Sequence, residues 1–155
     1  MAALLAALFT GLASEAWTQE PTGEVVLERI NRQSLDPGQC GLFLWSRGDN
    51  PTFVFVSYNE PSLARVRIDG QSRAIERERF SGESVLGHFE RQVFEDSRVA
   101  LTVDIKVDES RPIQDGAVVQ SGTITARTRR GWETVTPVGG MIACERRREQ
   151  PRLGR

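Results

Sequence analysis

Proton-transfer chemistry in this chain would have to centre on His88, the one histidine in 155 residues. Imidazole titrates near neutrality, so it is the side chain best suited to take up and return a proton there. Ser84 lies four residues earlier, in Gly82-Glu83-Ser84-Val85-Leu86-Gly87. That string is close to the G-x-S-x-G turn that holds a serine nucleophile outward, but its second glycine falls one residue late. In an extended segment Ser84 and His88 point the same way and sit about 13 Å apart, from a rise of ~3.3 Å per residue. A small hydrolase using Ser84, His88 and a nearby carboxylate therefore needs the chain to bend between them. It ranks below a non-enzymatic reading, and no catalytic residue is assigned.

Metal and phosphate chemistry lack their ligands. One histidine and two distant cysteines do not make a closed zinc site. Asp104, Asp108, Glu109 and Asp115 fall close together without EF-hand spacing. Gly139-Gly140 stands outside any G-x-G-x-x-G or G-K-[ST] pattern. No cofactor is expected. Asn50 is followed by Pro51, so it is no glycosylation sequon.

The cysteines and aromatics remain. Cys40 and Cys144 bracket the region richest in strand signals, and no C-x-x-C is present. A bridge between them closes a loop of about 100 residues, which on the chain-entropy model is worth roughly 4–5 kcal/mol. Such a bridge persists in an oxidising compartment. Phe43, Trp45, Phe53, Phe55 and Tyr58 cluster in one short region, as a core would. Trp132 instead follows the Gly131 turn and has Glu133 and Thr134 for neighbours. An aromatic beside a turn suits contact with a sugar or a protein. Trp132, Trp45 and Tyr58 are the candidate binding surface.

The elements that must position these residues repeat with period two. From Arg98 to Val107, Val99, Leu101, Val103, Ile105 and Val107 alternate with Ala100, Thr102, Asp104 and Lys106. That pattern gives a strand one buried and one wetted face. Residues 41–46 and 52–58 are continuously apolar and read as strands covered on both faces. Residues 63–68 run into Asp69-Gly70, a strong hairpin signal, and return as 71–80. Further strands fit 85–94, 117–127, 132–136 and 141–144, with a tight turn at Arg129-Arg130-Gly131. Only residues 24–33 fit a helix or a strand equally. Glu76-Arg77-Glu78-Arg79 alternates in sign, which suits an edge strand whose charges block edge-to-edge pairing. The fold class is all-β, a single antiparallel β-sandwich or small β-barrel after an N-terminal signal segment, with the cysteine bridge tying the first strand to the last.

Composition and charge set the compartment and the partners. The chain is 39% apolar and 26% charged, with a formal net charge of −1, which removes the electrostatic footprint of a nucleic-acid binder. No apolar run reaches the roughly 20 residues of a transmembrane helix. Residues 1–12 have the size and Ala/Leu content of a signal-peptide core, followed by Ser14-Glu15-Ala16 at a cleavage position. The expected organisation is a signal peptide at 1–16, a lead-in segment or first strand at 17–36, a β domain at 37–144 and a basic, disordered tail at 145–155. The tail carries five Arg against two Glu.

An exported β domain with a cysteine near each end and an Ile68-Asp69-Gly70 hairpin between them resembles the small periplasmic inhibitors of c-type lysozyme. The resemblance covers Cys40 to Cys144 in outline. It places Ser81-Gly82 at the inhibitory loop, with Phe89 as the following aromatic at a longer spacing. It implies lysozyme inhibition as one specific form of binding. The general expectation is a non-enzymatic binding or accessory module, periplasmic or secreted, whose partner is a protein or small ligand of the cell envelope.

Overall fold

A computed structural model of the chain describes residues 23–146. The expected signal peptide at 1–16 and the tail beyond Arg146 lie outside these residues. Eight strands follow in order: β1 (Cys40–Ser46), β2 (Phe53–Tyr58), β3 (Leu63–Ile68), β4 (Gln71–Val85), β5 (His88–Glu95), β6 (Val99–Ile113), β7 (Gly116–Thr128) and β8 (Glu133–Cys144). Each pairs antiparallel with its neighbours, and β1 pairs with β8, so the sheet closes into a barrel. Of the two architectures expected, the structure is the barrel. Closure pairs β1 with β8, the two strands that an open meander would leave as edges. Among the described residues there is no helix, and 24–33 run as an irregular extended segment.

Eight strands enclose an interior just wide enough for side chains to fill. Leu42, Leu44, Phe55, Val66, Ile75, Phe94, Leu101, Val103, Ile124 and Ile142 fill it, all fully buried. Phe55 and Phe94 meet edge to face across it, ring centroids 5.6 Å apart. The alternation read along 99–107 is the barrel's own: Val99, Leu101, Val103 and Ile105 point inward.

Two rims result. One carries the turns at 47–52, 69–70, 96–98 and 129–132, and is here called the Trp132 rim. The other, the disulfide rim, carries the turns at 59–62, 86–87 and 114–115 together with Cys40 and Cys144. The Asp69-Gly70 turn has both residues at positive φ, 51° and 71°, as the hairpin signal requires.

The lead-in segment does more than precede the barrel. The β2–β3 ladder holds only Val56↔Arg65 and Ser57↔Ala64 before the strands part toward the Trp132 rim. The lead-in chain enters that opening: Glu28 N–H donates to Arg67 O and Ile30 N–H to Phe53 O, both at 2.9 Å. Val25 and Leu27 join the barrel core from this end. Ile30 and Leu35 then cover the outer wall over Val56, Tyr58, Phe43, Phe53 and Leu63. This second layer explains why residues 54–58 are buried without interruption.

One expected strand is divided. Residues 85–94 are broken at Leu86-Gly87, whose φ values of 51° and 83° reverse the chain into a hairpin. β4 runs on past Phe80 to Val85 to meet it. β3 reaches only Glu76 of β4, and β6 reaches only Arg91 of β5. The β4–β5 hairpin beyond those points therefore has two free sides and stands over the disulfide rim. The sign-alternating run Glu76-Arg77-Glu78-Arg79 lies where β4 loses its β3 neighbour.

Candidate functional site

At the disulfide rim the residues with acid–base potential do not form a catalytic pair. The Leu86-Gly87 turn sets Val85 opposite His88 and Ser84 opposite Phe89. Neighbouring residues on a strand face opposite sides, so Ser84 turns out to solvent while His88 turns into the barrel. The imidazole is 1% exposed. Its Nδ1 lies 3.5 Å from Oγ of buried Ser57, a long contact at the limit of a hydrogen bond. Burial pushes its pKa down to about 4; the Cys40 carbonyl works against that shift and the Arg77 charge adds to it. His88 is thus a neutral plug under the hairpin.

Arg77, which in the sequence is only one charge of a sign-alternating run, organises this end. Its guanidinium donates to Gln92 Oε1 at 2.9 Å, to Ser62 Oγ at 2.9 Å and to Gly87 O at 3.3 Å. It lies 5.3 Å from the ring centres of both Phe80 and Phe89, which stack on each other at 4.0 Å. One cation thereby ties the hairpin tip to the β2–β3 turn. The signal was present as an arginine in a run that falls on the inward face once β4 is paired with Phe94. Ser81 and Gly82 sit in a β-bulge beside this cluster, with Gly82 at φ 84°.

The candidate binding aromatics separate. Tyr58 is buried beneath the lead-in segment, its hydroxyl donating to Gln33 Oε1 at 3.2 Å. Desolvation raises its pKa, against the nearby Arg65 charge. Trp45 is half-buried on the outer wall with its ring centre 4.9 Å from Phe53. Neither offers a free face comparable with Trp132, which is 57% exposed. The β7–β8 turn holds Trp132 in place: Thr128 N–H donates to Trp132 O at 2.9 Å, and Trp132 N–H to Thr128 Oγ1 at 3.2 Å. Gly131 supplies the positive φ, 86°, that this turn needs. Gly23 packs its backbone on the indole, where a side chain would clash with the ring.

Trp132 forms one wall of a cleft of about 510 Å³ on its rim, lined also by Glu24, Asp69, Arg98, Arg129 and Arg130. The three guanidinium groups make no ion pair among the described residues. Exposed aromatic surface and unpaired guanidinium groups are what recognition surfaces concentrate. The described residues contain no group of three or more His, Cys, Asp or Glu placed to hold a metal ion. Among the described residues no helix is long and apolar enough to cross a membrane. Comparison with protein-family models, with curated proteins and with solved structures finds no match for the chain.

Proposed function

We propose that this chain is a non-enzymatic binding module of the periplasm or cell envelope, exported by its N-terminal segment, which takes its partner on the Trp132 rim. One observation carries the reading. The barrel interior is filled with apolar side chains, so a ligand has no room inside, while the rim cleft of about 510 Å³ is walled by Trp132, a residue 57% exposed. The Cys40–Cys144 disulfide supports an oxidising compartment. Immobilised protein should retain a component of fractionated envelope extract, and Trp132→Ala should release it. Retention unchanged by that substitution overturns the rim as the binding site.

A second reading draws on the other rim. Ser81-Gly82 in its bulge, beside exposed Phe80 stacked on Phe89, suits the protruding loop of a lysozyme-inhibitor-like protein. A cell-wall turbidity assay with c-type lysozyme separates the two: inhibition lost on Phe80→Ala favours this reading, and undisturbed lysis removes it.

A further inference from the structure

Resting on the Trp132 rim as the binding surface, the chemistry of the cleft narrows the class of ligand. Trp132, a residue 57% exposed, offers a flat apolar indole as a platform. Around it stand two kinds of charged group: the guanidinium groups of Arg98, Arg129 and Arg130, and the carboxylates of Glu24 and Asp69. All five are exposed residues of the cleft lining and no pair among them lies within ion-pair distance, so neither sign is neutralised by the other.

A bare anion would engage the arginines but be repelled by Glu24 and Asp69. A purely apolar ligand would leave five charged groups to be desolvated without partners, which is costly. A neutral sugar would stack on the indole, and its hydroxyls could donate to the carboxylates and accept from the arginines, but it leaves the excess of three cations over two anions uncompensated. Ionised carboxylates only accept hydrogen bonds and guanidinium groups only donate them. A ligand that meets both signs and also balances the extra cation carries hydroxyl donors and one anionic acceptor on a ring with an apolar face. The guanidinium fork matches a carboxylate in two-point geometry. With three cations against two anions in the cleft, a singly charged carboxylate fits better than a phosphate dianion.

We infer that the Trp132 cleft binds a saccharide carrying carboxylate groups, the sugar ring stacked on Trp132, its carboxylate on the arginines and its hydroxyls on Glu24 and Asp69.

Calorimetric titration of the disulfide-intact protein with tetragalacturonate, maltotetraose and inorganic phosphate tests this. Tetragalacturonate should bind, and the neutral sugar and phosphate should bind at least about tenfold more weakly, a difference of about 1.4 kcal/mol. Trp132→Ala and the Arg129→Ala/Arg130→Ala double variant should each weaken tetragalacturonate by about tenfold or more. Arg91→Ala, on an exposed cation paired with Asp104 away from the cleft, should not. Equal binding of maltotetraose, indifference to Trp132→Ala, or no binding of tetragalacturonate overturns the inference. If tetragalacturonate fails while an envelope component is still released by Trp132→Ala, the saccharide assignment alone falls. If that component is indifferent to Trp132→Ala, the rim reading falls with it.

Discussion

Cys40 and Cys144 stand directly opposite each other in the β1–β8 ladder, their Cα atoms 4.0 Å apart across a sequence separation of 104. The disulfide therefore fastens the seam at which the barrel closes. The seam also has its own ladder, from Cys40↔Cys144 to Ser46↔Val138, and that ladder remains when the bridge is removed. A Cys40→Ser/Cys144→Ser variant should keep the β-sheet circular-dichroism spectrum. It should lose roughly 4 kcal/mol in denaturant melts, on the chain-entropy model for a loop of about 100 residues. Loss of less than about 1 kcal/mol would show that the seam is held by the ladder alone.

Stability should depend on pH through His88. Its folded pKa is pushed down to about 4 from 6.5, so the unfolded chain binds the proton first as pH falls. The stability contributed by the neutral ring is complete above the unfolded value and is lost as pH drops from 6.5 to about 4. The full window amounts to about 3 kcal/mol. Thermal melts across that range should show a falling midpoint, and His88→Gln should flatten the slope. An unchanged slope in the variant would place the titrating group elsewhere.

Arg77→Met keeps the apolar stem but removes the donors to Gln92, Ser62 and Gly87. The buried Gln92 amide oxygen then loses its partner, while the half-buried Ser62 hydroxyl keeps its bond to Asn59 O, at a cost of about 2 kcal/mol. Because the tip is free on both sides, the effect should be local. Hydrogen exchange should quicken at residues 86–90 and stay as it was in β7 and β8. Equal protection at the tip would mean that packing of His88 and Val85 suffices to hold it.

Gly140 sits where β1 and β8 approach so closely that a Cβ would overlap the Phe43 carbonyl oxygen. Gly140→Ala must push the seam open and should lower stability by about 2 kcal/mol or more. Gly48→Ala makes a useful contrast, since nothing lies within 4 Å of the added carbon there and only its φ of 149° opposes the change. A melt in which Gly140→Ala matches the wild type would contradict the tight seam.

Much of the fold was legible because alternation survives curvature. Val99 to Ile105 show the same inward set in a barrel as in a flat sheet, and Asp69-Gly70 names its own turn. Leu86-Gly87 was missed because leucine rarely takes positive φ, and the apolar pattern of 85–94 runs straight across it. The lead-in segment was ambiguous for a physical reason as well. Residues 25–30 neither form a full strand nor stand alone, but bridge the opening between β2 and β3, a tertiary arrangement that no local pattern encodes. At the site, Trp132 was visible from the turn before it. The arginines and carboxylates that share its cleft come from four separate segments, and only the closed barrel brings them to one rim.

The most direct test is the indole N–H resonance of Trp132 in a nitrogen-edited NMR spectrum, assigned by its loss in Trp132→Phe, as purified envelope fractions are added. Binding on the rim predicts that this signal shifts together with the amides of residues 97–98 and 128–131, while those of Leu42 and Phe55 inside the barrel stay fixed. Shifts confined to the β4–β5 hairpin, or spread through the interior, would contradict it.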